Sequence, residues 1–288
     1  MQKITDLPKL PERRSDSHKT MFGKILVIAG SVGMAGAASL VGKSALRSGA
    51  GAVTIATPSS CLPVVAAFDP CCMTVALSET KSGKICLSAV DQILRCAFGY
   101  DVIAFGPGIG TSTGLQTIVD TLISQKDLRI VIDADGLNNL SRNTGWVERK
   151  RASVVLTPHP GEMKRLWSSL MRQDLPKDRT EQAVALSQRT DCVVALKGAG
   201  TVVTDSEKVY LNTTGNPGMS TAGSGDVLTG VIAALMGQEL CDFDAAVLGV
   251  YLHGLAGDLA TEPKGRISLI ATDIVEALPN AFIYRCGR

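Results

Sequence analysis

The chain has 288 residues, 45% of them hydrophobic, with 29 lysines and arginines against 27 aspartates and glutamates. That length suits one large α/β domain, while a formal net charge of +2 and 4% aromatic residues give neither the basic footprint nor the stacking platform of a nucleic-acid binder. Eight cysteines with no C-x-x-C pair and only three histidines argue against zinc; they suit buried, reduced thiols and a cytoplasmic location.

In chain order, "MQKITDLPKLPERRSDSHKT" is charged and broken by prolines, with no apolar segment of a secretory signal. Residues 1–20 therefore read as a poorly ordered arm, and 21–288 as a single domain. The uncharged run from Ile25 to Gly42 approaches the length of a membrane span. Yet Gly30, Ser31, Gly33 and Gly36 punctuate it after a β-branched start, which predicts strand, loop and helix, and no membrane partner. Further strands are predicted at Val53–Ala56, Val102–Phe105, Ile130–Asp133, Val154–Leu156 and Val193–Leu196, after a first at Ile25–Ala29. Amphipathic segments such as Ala37–Ser48, Thr113–Ser124 and Thr180–Gln188 lie between them. This βαβα order implies an α/β fold of three layers, a mostly parallel central sheet with helices on both faces. Beyond Lys197, Thr201–Thr204 and Val209–Asn212 flank "DSEK" as a hairpin, so antiparallel strands are expected at one edge. From Asp226 onward the pattern is helical.

Ligands of open α/β sheets bind beyond the carboxyl ends of the strands, and the unusual residues of this chain follow strands. "GPGIG" (106–110) reads either as a tight turn or as a close approach of backbone to ligand. Gly30, Gly33 and Gly36 do not have the Rossmann spacing, and no Walker-type phosphate loop occurs. His159, between two prolines in "TPHPGE", is placed to donate to a phosphate or ribose, or else is a hydrogen-bonded turn residue; His253, in a helical pattern, reads as structural. Asp133 and Asp135 are candidates to hold magnesium through water, although capping the next turn is the commoner use.

The strongest signal is "NPGMSTAGSGDVLTG" (216–230), a small-residue loop opening a helix. Such a loop turns backbone N–H groups outward and makes an anion site. Asp226 beside it is either a helix-start acid favoured by the dipole or a general base that deprotonates a hydroxyl attacking a phosphoryl group. The loop amides would then stabilise the transferred phosphoryl.

This loop resembles the anion hole and catalytic aspartate of the ribokinase-like superfamily. With "GKILVIAGSVGMAGAASLVGKSALRSGAG", "GPGIG", "DADGLN", "LTPHPGEMKRL", "LKGAGTVV" and "YLHGLAGD", the chain is similar to the ADP/ATP-dependent NAD(P)H-hydrate dehydratases from about residue 15 onward. The resemblance implies phosphorylation of the S form of NADH or NADPH hydrate from ADP (or ATP), then phosphate elimination, with Mg2+ as cofactor. It also implies Asp226 as base and Ala222, Gly223, Ser224 and Gly225 as anion hole. Lys197, Gly198, Ala199, Gly200, Thr201 and Gly225 would meet the adenine nucleotide; Ala45, Gly108, His159 and Asp226 would meet the hydrate. A homotetramer and a functional partnership with a separate NAD(P)H-hydrate epimerase follow from the same resemblance. A vitamin-precursor kinase of the superfamily would use the same aspartate and loop, whereas a non-catalytic nucleotide sensor would have no need of the carboxylate.

Overall fold

The computed structural model describes residues 1–286; residues 287–288 of the expected domain, and the Cys286 side chain, lie outside the described residues. Ten strands among them form one sheet: β1 (Gln2–Ile4), β2 (Lys24–Ile28), β3 (Ala52–Pro58), β4 (Met73–Leu77), β5 (Val102–Phe105), β6 (Arg129–Ile132), β7 (Ser153–Leu156), β8 (Val193–Leu196), β9 (Val202–Thr204) and β10 (Lys208–Leu211). Their order is β1-β10-β9-β8-β7-β6-β5-β2-β3-β4. The expected hairpin is present as antiparallel β9 and β10 toward one edge. Only β9 runs against its neighbours, and it lies inside the sheet because β10 and then β1 pair beyond it.

Both faces are buried, so the strands read as continuous apolar runs whose alternate residues serve different cores. In β2, Ile25 and Val27 enter one core while Leu26 and Ile28 enter the other. Helices Ala35–Arg47, Ser224–Gly237, Asp242–Lys264 and Ala271–Cys286 cover the first face. Helices Val90–Ala97, Thr113–Ile123, Asp135–Leu140, Pro160–Leu170 and Arg179–Thr190 cover the second. The Ile25–Gly42 run resolves into strand, loop and helix, and no described helix is long and apolar enough to cross a membrane.

The first residues are seated on the sheet, which corrects the expectation of a poorly ordered arm. Gln2–Ile4 pairs with Lys208–Tyr210, Leu7 and Leu10 pack on the core, and Arg13 donates to the Gly49 carbonyl and stacks 3.9 Å from the Phe22 ring centre. The cysteine expectation also needs correction. The described cysteines are unbonded, but only Cys61 and Cys192 are buried, and Cys71 and Cys241 are exposed.

Strand β2 pairs with β3 on one side and β5 on the other, so the chain order reverses there. At such a point the loops leaving the two strands diverge and open a crevice. Here they are tied together, Gly30 donating to the Pro107 carbonyl (2.8 Å) and Ser31 Oγ to the Gly108 carbonyl (2.7 Å).

Helix Ser224–Gly237 carries the candidate base and lies across β2, β5 and β6. It crosses helix Ala35–Arg47 at Gly230, where an added methyl group would collide with Ser44 Oγ and the Val41 carbonyl. Alanine in a helix interior ordinarily gains about 1 kcal/mol over glycine. At this crossing the sign reverses. Gly230→Ala is expected to lose roughly 1–3 kcal/mol through overpacking, read as a lower urea midpoint with an unchanged m-value.

Candidate active site

Gly223 begins helix Ser224–Gly237 in the left-handed region (φ 89°), a conformation that costs a side-chain-bearing residue more than glycine. No side chain caps this helix start. Among the described residues, the amides of Ala222, Gly223 and Gly225 find no protein acceptor, and Ser224 has only a 3.4 Å contact to the Thr221 carbonyl. Three acceptor-free amides and one weakly engaged one at a helix N-terminus have the geometry of an anion site. Gly225 keeps the floor open, since a methyl there would lie 3.2 Å from Lys197 Nζ and 3.6 Å from Asp133 Oδ2.

Lys197, at the end of β8, does not project freely toward a phosphate. Its ammonium is paired with Asp133 Oδ1 at 2.5 Å, and Thr229 Oγ1 donates to the other carboxylate oxygen at 2.8 Å. Burial works against the charged lysine, yet Asp133, Glu162 and Asp226 outweigh it and raise its pKa. Ala134, at φ 50°, is strained between the two neighbouring acids, which it sends apart. Asp133 goes to Lys197, while Asp135 accepts from the Gly110 amide (2.8 Å) and from Asn138 Nδ2 (3.2 Å).

Asp226 is half-buried beside this cluster. Burial, then the charge of Asp133, pushes its carboxyl from 3.8 up to about 7, against the pull of Lys197. Glu162 behaves similarly, raised by burial to about 7 with Lys197 opposing. His159 is held below its ordinary pKa by desolvation and by Lys197 and Arg165. Its tautomer follows from its partners: Gly161 N donates to Nδ1 (2.9 Å), so the proton sits on Nε2, 3.2 Å from Glu162 Oε1. Such an imidazole donates a hydrogen bond; it is not a free base.

A cavity of about 670 Å³ opens between the anion loop and the ends of β8 and β9. Its walls bring together Lys197, Gly198, Ala199, Gly200, Thr201, Ser224, Gly225 and His159. Ala45 is not brought to it. That residue is fully buried where helices Ala35–Arg47 and Ser224–Gly237 pack together, away from the residues that line the cavity. Gly108 is buried at the reversal of strand order, under Met34 and Ala37, so it can shape the crevice only through its loop.

Sequence reasoning missed the opposite wall, residues Asn212–Thr221, which rests on helix Asp242–Lys264. Asp258 accepts from Gly215 N (2.8 Å) and Asn216 Nδ2 (2.9 Å), a junction across more than forty residues that no local pattern signals. His253, read as structural, also lines the cavity. It lies 3.3 Å from Ser224 Oγ, and burial lowers its pKa to about 4. Glu162 carried one signal, its position in a capping box with His159, but its burial was not legible.

A mostly parallel sheet with helices on both faces and this strand order is the fold of the ribokinase-like proteins. More narrowly, the chain belongs to the NAD(P)H-hydrate dehydratase family, whose model (Carb_kinase) matches residues 25–280. It is 41% identical over 272 residues to the bifunctional NAD(P)H-hydrate repair enzyme Nnr of Moorella thermoacetica, covering 94% of this chain and 51% of that one. The chain thus spans about half the length of these bifunctional relatives. It is 35% identical to the ADP-dependent (S)-NAD(P)H-hydrate dehydratase of Neisseria meningitidis, over 92% of this chain and 86% of the relative. A crystal structure of the ADP/ATP-dependent dehydratase of Bacillus subtilis, co-crystallised with ATP and Mg2+, superposes with a TM-score of 0.81. That pair shares 31% identity, over 96% of this chain and 94% of the other.

The raised carboxyl makes a stability prediction. Between pH 4 and 7 the folded Asp226 keeps a proton that the unfolded chain has released, so the wild-type protein loses stability as pH rises through this window. An asparagine at this position has no proton to lose. Glu162 titrates in both proteins, so Asp226→Asn is expected to become progressively more stable than wild type from pH 4 to pH 7, with a constant difference above it. Thermal unfolding of both proteins across that range checks the slope.

Proposed function

We propose that the chain is an ADP-dependent (or ATP-dependent) hydro-lyase that returns the S form of NADH or NADPH hydrate to NAD(P)H, a repair of damaged cofactor. The observation that carries this reading is the half-buried, proton-attracting Asp226 beside uncapped amides at the edge of a cavity of nucleotide size. Water is a poor leaving group, so the hydrate hydroxyl is first phosphorylated. Asp226 takes its proton as the oxygen attacks the terminal phosphorus of ADP, AMP departs, and the amides of Ala222, Gly223, Ser224 and Gly225 hold the transferring phosphoryl oxygens. The ring nitrogen lone pair then expels phosphate, and loss of a proton from the adjacent ring carbon restores the dihydropyridine.

In this reading Lys197 to Thr201 and Gly225 face the adenine nucleotide, Lys197 holding Asp133 in place while lending positive charge. His159 faces the hydrate with its Nε2 proton shared with Glu162, and Gly108 shapes the crevice through its loop. Magnesium fits as the companion of the nucleotide phosphates, which is how this ion is usually carried. Among the described residues no group of three or more His, Cys, Asp or Glu could hold a metal, and Asp133 and Asp135 are engaged with Lys197, Thr229, Gly110 and Asn138. We further propose a cytoplasmic homotetramer working with a separate epimerase that converts the R hydrate. The unbonded thiols support the location, the bifunctional names of the longer relatives support the epimerase partnership, and the homotetramer rests on the family resemblance alone.

Incubation of the purified protein with S-NADH hydrate and ADP is expected to restore absorbance at 340 nm with one AMP and one phosphate formed per NADH. Recovery without nucleotide cleavage would sink the mechanism. Asp226→Asn is expected to fold, to bind ADP at least as tightly because a negative charge beside the phosphates is gone, and to lose about a hundredfold or more in kcat. In the wild type, kcat/KM should climb with pH through about 7 as Asp226 ionises. Near-normal turnover of the asparagine variant would assign the base to another residue.

A further inference from the structure

A second concavity, of about 560 Å³, lies on the far side of the His159 turn. Arg142 stands on one side of it, and Gly161, Lys164, Arg165 and Ser168 line the other along one face of helix Pro160–Leu170. Hydrogen bonds tie the groove to the loop that follows β5. Arg142 donates to Thr111 Oγ1 (3.1 Å), one residue beyond the GPGIG loop. Arg165 donates to Asn138 Oδ1 (2.8 Å), Asn138 to Asp135, and Asp135 accepts from Gly110. Half-buried Lys84 overhangs the same loop, its ammonium 3.1 Å from where a methyl group at Gly110 would stand. Among the described residues none of these four cations is in a salt bridge with a carboxylate.

We propose that this row of cations receives the phosphates of the hydrated dinucleotide, Lys84 facing the pyrophosphate and the Arg142–Lys164–Arg165 groove taking the 2′-phosphate of NADPH hydrate. The inference rests on the dehydratase reading, which puts the reacting ring between Asp226 and His159. From that point an anionic tail has two concave exits. The larger cavity is filled by the adenine nucleotide, which leaves the second concavity for the tail. The remaining exit is basic. A terminal phosphate monoester carries close to two charges and three acceptor oxygens, which paired guanidinium forks match better than they match a ribose hydroxyl. The groove would therefore distinguish NADPH hydrate from NADH hydrate, a preference that no residue of the reaction centre can express.

The test is calorimetric titration with NADP+ and NAD+, neither of which is turned over, with ADP saturating the larger cavity. Wild type is expected to bind NADP+ at least tenfold more tightly than NAD+. The R142A/R165A variant is expected to lose that preference while ADP affinity and circular dichroism stay unchanged, and K84A should weaken both dinucleotides alike. Exposed Arg142 replaced alone provides the same reading should the double variant fold poorly. No preference in wild type, or a preference that survives R142A/R165A, overturns the proposal. Turnover of S-NADH hydrate is scored separately: a protein that discriminates NADP+ through these arginines but turns over no hydrate retains the phosphate site and loses the dehydratase reading.

Discussion

One ammonium, Lys197, stands among three carboxylates at the carboxyl edge of the sheet, and the chemistry of the site depends on how that charge is shared. Asp133 holds it at hydrogen-bond distance and is almost wholly buried, so this pair is fixed and both of its members are spoken for. Removing one partner of such a pair typically costs about 3–5 kcal/mol, because the other charge is left buried and alone. Asp226 and Glu162 are then acids with too little positive charge for both, and burial raises each toward neutrality. A carboxyl that titrates near 7 can take and return a proton at physiological pH, which one held at 3.8 does poorly.

The backbone supplies what the side chains withhold. With Lys197 engaged, the free positive potential at the cavity edge comes from uncapped amides and the helix dipole behind them. That helix is drawn tightly against its neighbour by a glycine crossing at Gly230, so the anion loop and Asp226 are carried on a rigid element. On the facing side, Asp258 fixes the Gly215–Asn216 segment from a different helix. The cavity is thus framed by elements from both helical layers and by strand ends. Its shape belongs to the packed fold more than to any one loop.

Several strands were legible because burial on both faces leaves a run of four or five branched apolar residues that little else produces; β5 and β8 match their sequence bounds. Strand β1 was not legible, because three residues, Gln2 to Ile4, carry no pattern and gain their conformation only from the edge of β10. Strand β4, "MTVAL", is likewise short and half-exposed at the other edge. The anion loop was legible for a physical reason: clustered glycines just before a helical pattern, with no cap residue, announce orphan amides, and Gly223 does take a positive φ. The burial of Ala45 was not legible, because a position inside a recognisable motif says nothing about whether the side chain faces a ligand or a neighbouring helix.

The sequence by itself determined the alternation of strand and helix, the loops that gather beyond the strand ends, and the acid at the glycine-opened helix, since periodicity and backbone permissiveness are local properties. Only the tertiary structure decided that Lys197 answers to Asp133, that Glu162 is buried, that His159 keeps its proton on Nε2, and that Asp258 holds a cavity wall. Each of these depends on which distant charges and donors come within a few ångströms and how much water is excluded between them. Those quantities exist only once the chain has packed.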